Sequence, residues 1–123
     1  MLDKNNLRIL QVNLNKSPQA TKSALQVCVD LAIDILIVQE PWLVPSQDNY
    51  SNTRSINHPS FTQIFPTLLD PSLRPRVLLY ALNNFQAQIN PLASFPSDPD
   101  CQALTISSTT FTLNLINVYN KDD

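Results

Sequence analysis

The chain opens with an alternating stretch, L-R-I-L-Q-V-N-L at residues 7 to 14, in which Leu10, Val12 and Leu14 fall on one face and Leu7, Ile9, Gln11 and Asn13 on the other. Alternation of that kind predicts a strand. Ser17-Pro18 then supplies a helix N-cap followed by proline at the first helical position. From Gln19 to Ala32 the apolar residues Ala20, Ala24, Val27, Cys28 and Leu31 recur at helical spacing, predicting one buried helix face. Next comes an unbroken apolar run, Ile35 to Val38, with three β-branched residues, which suits a strand buried on both faces. Pro41 cannot donate to a sheet ladder, so the strand stops at Gln39-Glu40. Strand, helix, strand is the order of a crossover between neighbouring parallel strands.

Residues 41 to 75 break the pattern. Pro, Ser, Asn, Asp and Arg dominate, with apolar islands at Ile64-Phe65 and Leu68-Leu69. A long surface excursion with one short strand is expected there. Regular patterning resumes at Arg76 to Leu82, a strand that Asn83-Asn84 turns into a partner over Phe85 to Ile89. A proline-rich loop through Pro91, Pro96 and Pro99 leads to a strand over Cys101 to Ile106. Ser107-Ser108 makes a turn, and Thr110 to Tyr119 forms a longer strand. The second half therefore reads as consecutive antiparallel β-structure.

Composition alters this picture in two ways. The chain has no glycine and ten prolines, so Asn must take the positive-φ positions that glycine usually fills, Asn83-Asn84 among them. A net charge of −2 and a pI near 5.1 give none of the basic surface expected of a domain that holds nucleic acid electrostatically. Cys28 and Cys101 are too far apart to form a metal-ligand spacing and read as reduced core residues. The sequence contains no bilayer-spanning apolar run and no signal-peptide pattern, and an intracellular location is expected.

Candidate chemistry gathers at predicted strand ends. Glu40 is the only glutamate among ten acidic residues, and it sits at the carboxyl end of a buried strand, where open α/β sheets place their sites. Its carboxylate needs a partner: a metal ion, or a lysine or arginine. Asn13 and Tyr119 stand at other strand ends and could line the same pocket. A set of this kind suits Mg2+, which takes only one or two protein carboxylates and keeps its other positions for water and phosphate. His58 lies in the excursion with no acid or cysteine near it and reads as solvated. No Ser-His-Asp set and no CxxC occur, and a chain without glycine has no Gly-rich phosphate loop.

The pieces L-R-I-L-Q-V-N-L-N, I-D-I-L-I-V-Q-E-P-W, R-P-R-V-L-L-Y and F-T-L-N-L-I-N-V-Y-N, in this order, resemble the amino-terminal half of the endonuclease/exonuclease/phosphatase superfamily. They are most similar to the apurinic-endonuclease-like domain of non-LTR retrotransposons, particularly fungal ones. The resemblance implies a partial four-layer, DNase-I-like α/β sandwich with mixed and antiparallel sheets. Residues 1–123 would then be the amino-terminal part of a single domain. It further implies that Glu40 binds Mg2+, that Asn13 positions the scissile phosphate, and that Tyr119 contacts that phosphate. The parent would nick DNA in the nucleus.

The family's Gly-Asp-x-Asn and Ser-Asp-His motifs, which orient and activate water, do not occur in this sequence, and Lys16 follows Asn15 where glycine is common. The chain is therefore read as an inactive fragment. Its sheet edge would be left uncovered, favouring self-association. Two alternatives stand beside this reading: a non-catalytic remnant or interaction module, and a phosphatase-type member of the same superfamily.

Overall fold

A computed structural model of the chain describes residues 6–45, 49–92 and 98–120. Among these residues the chain begins with β1 (Ile9–Asn13), helix α1 (Pro18–Asp30) and β2 (Ile35–Gln39). β1 and β2 pair in parallel, Ile9 opposite Ile35 and Asn13 opposite Gln39. Ser17 caps the helix, its Oγ accepting from the Ala20 N–H at 3.0 Å, and Pro18 follows at the first turn. The helix ends in a left-handed cap: Ile33 N donates to Cys28 O at 2.9 Å, Ala32 N donates to Val29 O at 3.3 Å, and Ala32 has φ of 54°.

β3 (Phe61–Ile64) and β4 (Val77–Leu82) complete the first sheet, in the order β1-β2-β4-β3. β4 enters between β2 and β3, antiparallel to both. Its central position explains its composition: Val77, Leu78, Leu79 and Tyr80 have no exposed surface. β5 (Gln88–Pro91), β6 (Cys101–Ser107) and β7 (Thr112–Val118) form a second, antiparallel sheet in sequence order.

The sheets stack with α1 outside the first. Leu25 and Cys28 of α1 pack with Leu36, Val38, Leu78 and Tyr80 on one face of that sheet. On its other face, Ile35, Leu79 and Ala81 meet Leu104, Ile106 and Leu115 of the second sheet. The described residues thus make an α/β stack of helix, mixed sheet and antiparallel sheet. A helix covering the outer face of the second sheet, which a four-layer sandwich requires, is not among them.

Three expectations are corrected. The buried face of α1 is Thr21, Leu25 and Cys28, with Ala20 and Ala24 packed against that core, while Val27 and Leu31 are exposed. Apolar spacing alone does not mark this face, because Thr21 enters the core by donating its hydroxyl to Ser17 O at 2.8 Å. Phe85 to Ile89 does not pair with β4, whose two edges are already taken by β2 and β3. Instead the chain crosses to the second sheet, and β5 pairs with β6. Asn83-Asn84 therefore makes no hairpin and has no positive φ; the positive-φ residues among those described are Asn15, Lys16, Ala32 and Glu40. The excursion holds one short strand, as expected, at Phe61–Ile64, and Leu69 further along the excursion is exposed. Cys28 and Cys101 are both free thiols, the first buried and the second half-buried.

Candidate functional site

β2 carries its side chains alternately to the two faces of the first sheet. Leu36 and Val38 face α1, while Ile35, Ile37 and Gln39 face the second sheet. Continued alternation would send Glu40 toward the helix-side core. It does not continue, because Glu40 has φ of 51°, a left-handed conformation costly for a residue with a Cβ. The turn is held from both sides: the Glu40 N–H donates to Arg76 O at 3.0 Å, and its carbonyl accepts from the Lys16 N–H at 2.9 Å. Redirected in this way, the carboxylate accepts a 3.1 Å hydrogen bond from the Tyr119 hydroxyl of the second sheet.

Tyr119 is itself fixed by its surroundings. Its N–H donates to Asp100 O at 2.8 Å. The Arg76 guanidinium lies 5.3 Å from the centre of its ring, within cation–π range. Arg76 is held there by a two-pronged ion pair with Asp100, Nε to Oδ1 at 2.5 Å and Nη2 to Oδ2 at 3.0 Å. The hydrogen bond to Glu40 holds the Tyr119 phenol above its ordinary pKa. Desolvation and the charges of Glu40 and Asp100 act the same way, and Arg76 opposes them. The Asp100 hydrogen bond likewise raises the Arg76 pKa, so the guanidinium stays charged.

Asn13 ends β1 directly beside the end of β2, opposite Gln39 in the register. Its side chain is exposed and accepts from the Asn15 N–H at 2.9 Å, a local turn that starts the left-handed Asn15-Lys16 pair. The structure thus brings Glu40 and Tyr119 into contact and sets Asn13 at the same end of the first sheet, one strand away. The partner of Glu40 is a phenol rather than a lysine or arginine.

His58 takes no part in this site: its Nδ1 accepts from the Ser60 N–H at 3.0 Å and its ring packs edge-on against Phe61. No group of three or more His, Cys, Asp or Glu side chains converges among the described residues, and Asp122 and Asp123 lie outside them.

The residues beneath the pair are not apparent from motifs or strand ends. Gln39, Gln102 and Asn117 are buried polar side chains, with Asn117 only 1% exposed. Gln39 donates from Nε2 to Asn117 Oδ1 at 2.6 Å, and Asn117 donates from Nδ2 to Gln102 Oε1 at 2.9 Å. A signal was present in the alternation, which puts Asn117 on the inward face between Leu115 and Tyr119. A polar residue at such a position has to be satisfied from across the core.

The fold is similar to that of a solved endonuclease domain. The solved structure of the endonuclease domain of TRAS1, a telomere-specific non-LTR retrotransposon, matches with a TM-score of 0.67 at 14% sequence identity, over 94% of this chain. The match takes in 45% of that chain, so the present sequence spans just under half its length. At this identity the likeness is one of fold. No protein-family model matches the sequence, and no curated protein does either. Among the described residues, no helix is long and apolar enough to cross a membrane.

Proposed function

We propose that the chain is part of a metal-dependent phosphodiesterase domain of the retrotransposon-endonuclease type, with DNA as the substrate of the complete domain. The observation that carries this reading is the Glu40–Tyr119 contact at the strand ends of a fold like that of the TRAS1 endonuclease domain. The donor set fits Mg2+. Glu40 offers a hard carboxylate oxygen at the site, and this ion asks for few protein carboxylates because it keeps most of its water. Glu40 would hold the ion, with the Asn13 amide beside it. The bound metal would supply Lewis-acid stabilisation of charge on the phosphoryl oxygens. The Tyr119 hydroxyl, a donor poised next to Glu40, would turn to a phosphate oxygen when substrate enters. Arg76, locked to Asp100 over the Tyr119 ring, keeps that ring in place.

Among the described residues, the histidine and the acid considered for a general base are both engaged elsewhere. His58, the sole histidine, is committed to the start of β3, and Asp100 is taken up by Arg76. General acid–base catalysis contributes about 10²–10⁴-fold to such reactions. The 123-residue chain is therefore expected to bind Mg2+ in the millimolar range without cleaving DNA. Among the described residues no further acidic side chains converge on Glu40, which favours a second reading, a non-catalytic remnant that keeps the fold.

Mg2+ titration followed by amide chemical shifts, run beside a plasmid-nicking assay, separates these readings. Shifts at Glu40 and Tyr119 that vanish in Glu40→Ala, with no nicking by either protein, are expected. Absence of any Mg2+-dependent shift would leave the remnant. Nicking that disappears in Glu40→Ala would overturn the claim of inactivity.

A further inference from the structure

Four side-chain amides run in series near the Glu40–Tyr119 pair, from the exposed Gln11 to the buried Gln39, Asn117 and Gln102. Gln11 donates from Nε2 to Gln39 Oε1 at 3.3 Å, and Gln39 donates to Asn117 Oδ1 at 2.6 Å. Asn117 donates to Gln102 Oε1 at 2.9 Å, and Gln102 donates from Nε2 to Ile64 O at 3.2 Å. The series passes from β1 to β2, crosses to β7 and β6, and returns to the first sheet at β3.

Its direction is fixed by chemistry. A backbone carbonyl only accepts, so Gln102 must present its NH2 to Ile64 and its oxygen to Asn117. The Asn117 NH2 also faces the carbonyls of Val38 and Leu78 at 3.2 and 3.1 Å. No flip of the Asn117 amide is therefore possible, and its oxygen is left for Gln39. Gln39 must in turn accept from Gln11. Every member has one allowed orientation.

Asn117 is the residue on which the series converges. It joins β7 to β2 through Gln39 and Val38, to β4 through Leu78, and to β6 through Gln102. Glu40 follows Gln39 directly. Tyr119 is the next side chain after Asn117 on the inward face of its strand. We propose that Asn117 is a positioning residue for the candidate site: by clipping β7 to β2 and β4 it sets the separation at which the Tyr119 hydroxyl meets the Glu40 carboxylate. Leaving the amide of Gln39, Asn117 or Gln102 unpaired would cost about 1–3 kcal/mol, so the clip has one stable arrangement. The inference rests on the reading that Glu40 and Tyr119 form the site, and its test needs neither metal nor substrate.

The readout is the contact itself, followed by nuclear Overhauser effects between the Tyr119 ring protons and the Glu40 side-chain protons. Tyr119→Phe assigns the ring signals. Asn117→Leu, which keeps the branching and removes the hydrogen bonds, is expected to abolish these effects. Gln39→Met cuts the same clip from the opposite strand and carries the test where Asn117→Leu does not fold. Leu115→Ala, a packing loss on the same face of β7, is expected to leave the effects in place. A folded Asn117→Leu or Gln39→Met protein that keeps them at wild-type strength would overturn the proposal. So would an equal loss in Leu115→Ala, since the alignment would then follow general packing. If the wild type itself shows no such effects, the pairing of Glu40 with Tyr119 is what fails, and the site reading goes with it.

Discussion

Glu40 leaves the alternation of β2 at φ 51° and by doing so reaches Tyr119, 79 residues further along the chain, across a 3.1 Å hydrogen bond. Regular strand geometry would have kept the two apart. The contact thus costs backbone strain at the first residue and depends on the second sheet to hold the other.

That strain is measurable. Glycine tolerates left-handed backbone that costs a residue with a Cβ about 1–2 kcal/mol. Glu40→Gly is expected to be more stable than Glu40→Ala by about 1 kcal/mol, read from urea unfolding. Ala32→Gly at the helix cap is expected to stabilise the wild-type chain by about 0.5–1 kcal/mol, the gain being trimmed by the greater freedom of glycine in the unfolded chain. Equal stability of the glycine and alanine variants at position 40 would mean that no strain is stored there.

Alkaline pH should weaken the fold through its phenols. Tyr119 is raised by its hydrogen bond to Glu40 and Tyr80 by burial, each from 10.0, so the native chain keeps protons that the unfolded chain gives up. Their contribution is present in full below the ordinary phenol pKa and is lost as pH rises through the native values. The urea midpoint is expected to fall above pH 10, and Tyr119→Phe to flatten part of that fall. An unaltered slope in Tyr119→Phe would show that its phenol is not coupled to folding.

The Arg76–Asp100 ion pair is about one-third exposed on each side, so its contribution is screened. Asp100→Asn is expected to cost about 0.5–1 kcal/mol at low salt and less in high salt. Arg76→Lys should not reproduce the wild type, because an ammonium cannot make the two-pronged contact. Denaturation at two salt concentrations checks both points.

The free edge of β7 bears on self-association. Among the described residues β7 pairs with β6 alone, its sequence T-L-N-L-I-N-V carries neither charge nor proline, and Leu113, Ile116 and Val118 are exposed. Edge strands that avoid pairing usually carry such charges or prolines. Sedimentation of the wild-type chain is expected to show concentration-dependent association that Ile116→Lys reduces. A monomer at all concentrations would rule this out.

The sequence made most strand positions readable because alternation and burial act over a few residues. Ile35 to Val38 could only be a doubly covered strand, and Ser17-Pro18 could only start a helix. Pairing was another matter. Phe85 to Ile89 follows β4 closely and looks like its hairpin partner, but whether an edge of β4 is free depends on β3, supplied from an excursion with little pattern. The site divided along the same line. Glu40, Asn13 and Tyr119 were visible as polar residues at strand ends. Gln39, Asn117 and Gln102 were not recognised, since a buried amide becomes intelligible only when its acceptors, contributed by other strands, are known.

The series of amides also bears on how the chain acquires its site during synthesis. Gln39 is made 78 residues before Asn117, the group that satisfies it. Until β7 has emerged and docked, the Gln39 amide has to be met by water, and Glu40 has no phenol to turn toward. A growing chain can close β1, α1 and β2 through local contacts, yet this end of the first sheet stays open to solvent until β7 arrives. Assembly of the site is thereby timed by translation, with the strand that pairs with β6 also covering the end of β2.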